Sequence, residues 1–120
     1  MIGRIYSVVL DTPDPRGLAA FYAQLLGLQV KYEDGEWADI GPAEGDERTL
    51  SFQLAPNLRE PRWPDPDHPQ QFHVDVLIAG GIEEAEKGAL ELGATKLADG
   101  EGKFRVYADP SGHPFCLCWE

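Results

Sequence analysis

The same order of landmarks occurs twice in this chain, 66 residues apart. Ser7 precedes a short apolar run (Val8, Val9, Leu10), and a stretch with helical periodicity follows and stops at Leu26-Gly27. His73 precedes Val74, Val76, Leu77 and Ile78, and a second helical stretch stops at Leu92-Gly93. From Ser7 to Gly27 and from His73 to Gly93 is 20 residues in each case. A repeat limits the architecture more than any single residue does, because each copy is one supersecondary unit that must bury its apolar face. The expectation is two copies of a strand-helix-strands unit, with a cleft where the copies meet.

Local signals fill in each copy. A strand is expected over residues 4–11. Asp14-Pro15 reads as a helix start, since Asp can cap free amides and Pro suits the first helical position. Leu18, Phe21, Tyr22 and Leu25 recur at i, i+3, i+4, i+7 and give one apolar helix face; Gly27 ends it. Strands follow over 28–32, 36–40 and 48–54, with Asp34-Gly35 as a hairpin turn. Leu50, Phe52 and Leu54 share one face of the last strand, and Ser51 and Gln53 the other. Residues 55–69 hold Pro56, Pro61, Pro64, Pro66 and Pro69 and form a connector rather than a regular element.

The second copy repeats this from Phe72. Ile82, Ala85, Ala89 and Leu92 mark its helix face, and strands are expected over 95–98, 104–108 and 114–119. Asp109-Pro110-Ser111-Gly112 is a turn signal. On the closing strand Phe115, Leu117 and Trp119 share one face, Cys116 and Cys118 the other. The fold class is α+β: two βαβββ modules forming a partial barrel around a central cavity. Module one covers about 1–55, the connector about 56–70 and module two about 71–120, in a single domain at 120 residues. Such a cavity suits a small molecule.

Charge and cysteine usage narrow the partners. A net charge of −11 argues against nucleic acid, whose phosphates it would repel, and is compatible with a neutral or cationic small ligand. No apolar run approaches the ~18 residues of a membrane span, and no signal peptide is evident, so no membrane partner and a cytoplasmic location are expected. Cys116 and Cys118 are too close along one strand to pair without strain and read as reduced thiols.

The pattern resembles the vicinal oxygen chelate (VOC) superfamily, the glyoxalase/bleomycin-resistance/dioxygenase proteins. The resemblance rests on the strand into Asp14-Pro15, the run from Phe21-Tyr22 to Leu26-Gly27-Leu28, the strand Phe72-His73-Val74-Asp75-Val76, Leu92-Gly93-Ala94, and the terminal Asp109-Pro110-Ser111-Gly112-His113. The tryptophan-proline connector Arg62-Trp63-Pro64-Asp65-Pro66 is similar to that of compact glyoxalase-like proteins. The resemblance implies paired βαβββ modules and a homodimer, without implying one reaction.

It also implies where a site would lie. Metal-dependent members place four side chains around a divalent ion, from the first and last strands of each module. Those positions match Ser7, Gln53, His73 and Cys116. Only His73 is a strong ligand, and the set lacks a carboxylate. Asp11 and Asp75 share faces with Ser7 and His73 by strand alternation and could complete a site. The expectation is therefore no cofactor, with a divalent metal on His73 and Gln53 as the alternative. His73 is also the candidate catalytic residue, as a general base, against the plainer role of a hydrogen-bonded histidine. Cys116 reads as a small buried filler rather than a nucleophile. Trp37 and Tyr107 are assigned to the cavity wall, and Trp63 either covers the cleft or packs on the domain edge. The function expected is small-molecule binding without catalytic metal, such as sequestration of an antibiotic-like ligand. The alternative is a metal-dependent lyase, isomerase or dioxygenase of the glyoxalase type.

Overall fold

Asp14 begins the first helix as its sequence context predicts: its Oδ1 accepts from the Gly17 amide at 3.0 Å, Pro15 takes the first helical position, and Gly27 closes the helix at φ 67°. In the computed structural model, which describes residues 1–120, the first module reads β1 (Val8–Thr12), α1 (Pro15–Leu26), β2 (Gln29–Glu33), β3 (Trp37–Gly41) and β4 (Leu50–Leu54). The second reads β5 (Val74–Leu77), α2 (Ile82–Leu92), β6 (Thr95–Asp99), β7 (Phe104–Ala108) and β8 (Pro114–Cys118). The chain divides into two units, Met1–Leu58 and Arg59–Glu120, so the proline-rich connector lies with the second from Arg59 on, and its start, with Pro56, with the first.

The duplication extends to strand order. The first sheet runs β1-β4-β3-β2 and the second β5-β8-β7-β6, each with one parallel pair (β1 with β4, β5 with β8) and antiparallel neighbours otherwise. A register shift falls between Val30 and Tyr32 in β2 and, 66 residues on, between Lys96 and Ala98 in β6. Even the irregularities recur. The first strand of each module is shorter than expected: β1 starts at Val8 rather than at residue 4, and β5 at Val74.

Each sheet carries its helix on one face. In module one Leu18, Ala19, Phe21 and Tyr22 of α1 are buried, and the Tyr22 ring stacks on Phe52 of β4 at 5.8 Å. Leu10, Ala38, Ile40, Leu50 and Phe52 complete this core, all at most 6% exposed, and their burial is the main stabilising term here. Module two is held differently. Only Ala89 of α2 is buried, and the helix is fastened to its sheet by charge: Arg105 of β7 reaches Glu86 at 3.1 Å and Glu83 at 2.9 Å, Lys96 of β6 reaches Glu86 at 3.1 Å, and the Tyr107 hydroxyl donates to Glu86 at 3.0 Å. Hydrogen bonding to Lys96 holds the Glu86 carboxyl below the ordinary range, so it stays charged among these donors.

Candidate functional site

The faces opposite the helices carry the chemistry. On module one, strand alternation sets Ser7, Ser51 and Gln53, Trp37 and Asp39 on that face. Asp39 is only 2% exposed, yet its charge is fully served. Its Oδ1 accepts from Trp37 Nε1 at 2.8 Å and Ser51 Oγ at 2.6 Å, and Arg48 Nε lies 3.1 Å from Oδ2. Ser51 spends its one proton on Asp39, so the 2.6 Å contact between the Ser7 and Ser51 hydroxyls has Ser7 as donor. The Arg48 guanidinium also sits 4.4 Å over the Tyr6 ring. Asp39 and Arg48 were not singled out from sequence. The available signal was a lone carboxylate in mid-strand between Ala38 and Ile40, a position where burial demands partners.

Trp37 and Gln53, cross-strand neighbours on β3 and β4, line a hollow of about 270 Å³ with Asp34, Glu36 and Leu54. The Asp34 carboxylate accepts from the Tyr32 hydroxyl and from the Glu36 and Trp37 amides, which hold it below the usual carboxylate range and keep it charged.

On module two, His73, Asp75 and Cys116 come together. His73 Nε2 is 3.2 Å from Asp75 Oδ1, Asp75 lies beside Cys116 in the parallel register of β5 and β8, and the three donor atoms are all within 4.8 Å of one another. Burial and then the Asp75 charge push the Cys116 thiol up to about 11, and burial likewise raises Cys118, which also feels Asp75. Asp75 thus stands where strand alternation placed it.

Other expected positions move. Tyr107, assigned to the cavity wall, faces α2 instead: it is fully buried, stacks on Phe115 at 5.5 Å and bonds Glu86. Its place on β7, one residue out of phase with Val106, turns it under the helix, and burial raises its hydroxyl above the ordinary value. Trp63 lines a hollow of about 320 Å³ in the second unit, with Glu60, Arg62, Thr95, Leu97 and Pro110 among its neighbours. The Trp63–Pro64 bond is cis. Register relates the two modules position by position. Val8 pairs with Leu50 and Val74 with Phe115, so the module-one counterpart of Cys116 is Ser51, and Gln53 corresponds to Cys118.

A family model described as a glyoxalase-like domain matches residues 7–118. The chain belongs to the glyoxalase-like family. Among solved structures, this glyoxalase-like chain is similar in fold to a glyoxalase/bleomycin resistance protein/dioxygenase family enzyme from Burkholderia phytofirmans PsJN (16% identity, 98% of each chain, TM-score 0.72). It is similar to the fosfomycin resistance protein FosX from Mesorhizobium loti (14% identity, 100% of this chain and 94% of that one, TM-score 0.70). It is also similar to a bleomycin resistance determinant encoded on the transposon Tn5 (19% identity, 98% of each chain, TM-score 0.59). One curated protein, Ribonuclease 3 of Rhizobium leguminosarum bv. trifolii (strain WSM2304), is 29% identical over 85 residues, 61% of this chain; the chain covers 36% of that protein's length, and the match assigns no activity.

Tested against a divalent metal, the residues divide. The four-position set of Ser7, Gln53, His73 and Cys116 is a poor fit: Ser7 is committed to Ser51, and Gln53 is a neutral amide. His73, Asp75 and Cys116 offer nitrogen, oxygen and sulfur donors from one module.

Proposed function

We propose that this glyoxalase-like chain is a small-molecule-binding protein that takes an antibiotic-like ligand bearing a cationic group. The observation that carries the reading is the hollow lined by Asp34, Glu36, Trp37, Gln53 and Leu54. It combines an indole ring, an amide able to donate and accept, an apolar wall and two carboxylates. An ammonium or guanidinium beside Trp37 gains cation–π attraction and charge pairing together. The net charge of −11 adds long-range attraction for a cation. The likeness in fold to two antibiotic-resistance proteins is consistent with this, and fold similarity of that kind does not choose the ligand.

The test is equilibrium binding followed by tryptophan fluorescence and by calorimetry. The probes are bleomycin, a small aromatic amine, fosfomycin and a glutathione conjugate. Saturable binding of a cationic probe, weakened at least tenfold in Trp37→Ala and Gln53→Ala, is the expected result. No saturable binding of any probe, or binding indifferent to both substitutions, overturns the reading.

A further inference from the structure

We propose that the hollow of about 320 Å³ bounded by the connector and β6 binds a free α-amino acid, as its zwitterion, with an aromatic or branched apolar side chain. This goes beyond the small-molecule reading, which rests on Trp37 and Gln53 of module one, and does not depend on it.

The whole hollow belongs to one unit. Its lining residues run from Glu60 to Gly112, inside Arg59–Glu120. It stands at the β6 edge of a sheet ordered β5-β8-β7-β6, and no wall comes from β5 or β8, the strands to which the superfamily resemblance assigns ligands. Backbone bonds fix its sides. In the connector the Arg62 amide donates to the His68 carbonyl at 2.9 Å and the Asp65 amide to the Arg62 carbonyl at 2.7 Å, and Pro61 is buried. After β7, Asp109 Oδ1 accepts from the Ser111 and His113 amides at 2.8 and 3.1 Å, so this carboxylate serves its own turn. The Glu60 side chain lies against that turn, where a Cβ at Gly112 would overlap it. Lys96 points to Glu86 of α2, so strand alternation turns Thr95 to the opposite face, into the hollow.

The lining chemistry selects the ligand. Glu60 supplies a carboxylate, Arg62 a guanidinium and Thr95 a hydroxyl, while Trp63, Leu97 and Pro110 supply apolar contact. Neither Glu60 nor Arg62 is in a salt bridge. Asp65 feels the Arg62 charge, but its carboxylate is met by the Asp67 amide and the His68 ring. A simple cation would pair with Glu60 and be repelled by Arg62. A simple anion would pair with Arg62 and be repelled by Glu60 and by the net charge of −11. A zwitterion satisfies both: its ammonium pairs with Glu60, its carboxylate takes the two-pronged geometry that a guanidinium offers, and its side chain lies on the indole. The Thr95 hydroxyl can donate to the carboxylate or accept from the ammonium. A volume of about 320 Å³ falls at the small end of the range for small-ligand pockets, as an amino acid requires.

The experiment is calorimetry on the full chain with L-phenylalanine, L-leucine, L-phenylalaninamide, which lacks the carboxylate, and N-acetyl-L-phenylalanine, which lacks the ammonium. Saturable binding of one equivalent of L-phenylalanine is expected, at least tenfold weaker for each blocked analogue. Arg62→Gln should weaken L-phenylalanine at least tenfold and leave L-phenylalaninamide unchanged. Glu60→Gln should weaken L-phenylalanine likewise and leave N-acetyl-L-phenylalanine unchanged. Glu60 and Arg62 are exposed, so both variants keep the core, and melting curves verify that they are folded. Gln53→Ala should bind all four probes as the unaltered chain does, which separates this site from the hollow of module one. The proposal is overturned if neither amino acid binds saturably, if the blocked analogues bind as tightly as L-phenylalanine, if binding is indifferent to Arg62→Gln and Glu60→Gln, or if Gln53→Ala weakens it tenfold.

Discussion

Asp39→Ala tests the polar centre of module one. The substitution removes the acceptor for Trp37 Nε1 and Ser51 Oγ and the partner of Arg48. A hydrogen bond to a charged group contributes about 1.5–3 kcal/mol, and an orphaned buried donor costs about 1–3 kcal/mol. Two effects reduce the total. Ser51 can turn its proton toward Ser7, 2.6 Å away, and Arg48 is 32% exposed, so water replaces much of its pairing. The expected loss is about 3 kcal/mol. For a domain of this size that corresponds to a melting-temperature drop of about 12 °C. Scanning calorimetry on Asp39→Ala, Arg48→Gln and the double variant gives the loss and the Asp39–Arg48 coupling. Asp39→Asn, which keeps one acceptor oxygen, should fall between Asp39→Ala and the unaltered chain. If Asp39→Ala melts within about 2 °C of the parent, roughly 0.5 kcal/mol on the same scale, the network does not hold module one together.

Other substitutions probe single links. Phe52→Ala removes the ring on which Tyr22 stacks and should cost about 3–5 kcal/mol in chemical denaturation. Gly112→Ala should cost about 1–3 kcal/mol, because φ there is 88° and a Cβ would overlap the Glu60 side chain; adding Glu60→Ala should recover the steric part and leave the torsional part. In metal-free protein the Cys116 thiol is raised from 9.0 to about 11, so the fold binds this proton more tightly than the unfolded chain does. Its contribution is full below about pH 9 and is lost as pH rises through about 11; urea midpoints should fall over that window, and less so in Cys116→Ala.

Which parts of this were legible in the sequence follows from what each signal measures. Periodicity and turn chemistry report local burial, so α1, α2 and β7 begin where Pro15, Ile82 and Phe104 said they would. Strand alternation correctly put Asp75 with His73 and Ser51 with Gln53. Cross-strand register is a non-local quantity: nothing within residues 48–54 says which of them faces Val8, and only the pairing makes Ser51 the counterpart of Cys116 and Gln53 that of Cys118. Tyr107 failed for a related reason. An aromatic on an alternating strand fits either face, and the decision came from Glu86 on a different element. Asp39 was missed because its meaning lies wholly in its partners.

The register also explains why the two modules, so alike in frame, differ in what they can bind. Asp39 of β3 pairs with Ser51 of β4, and its counterpart on β7, paired with Cys116, is Val106. Asp75 of β5 has Val9 of β1 as its counterpart. At these two positions the face opposite each helix thus carries one carboxylate and one valine, in exchanged places. On module one the carboxylate sits between Trp37, Ser51 and Arg48, so its oxygens are already occupied by donors and a cation gains nothing there that Arg48 does not supply. On module two the carboxylate stands on an edge strand of its sheet, more than half exposed, beside the His73 imidazole and across from the Cys116 thiol. The helices are held to the two sheets by different means, and on the opposite faces the place of a single carboxylate, on β3 in one module and on the first strand in the other, separates a closed hydrogen-bond network from a carboxylate that stands beside an imidazole and a thiol.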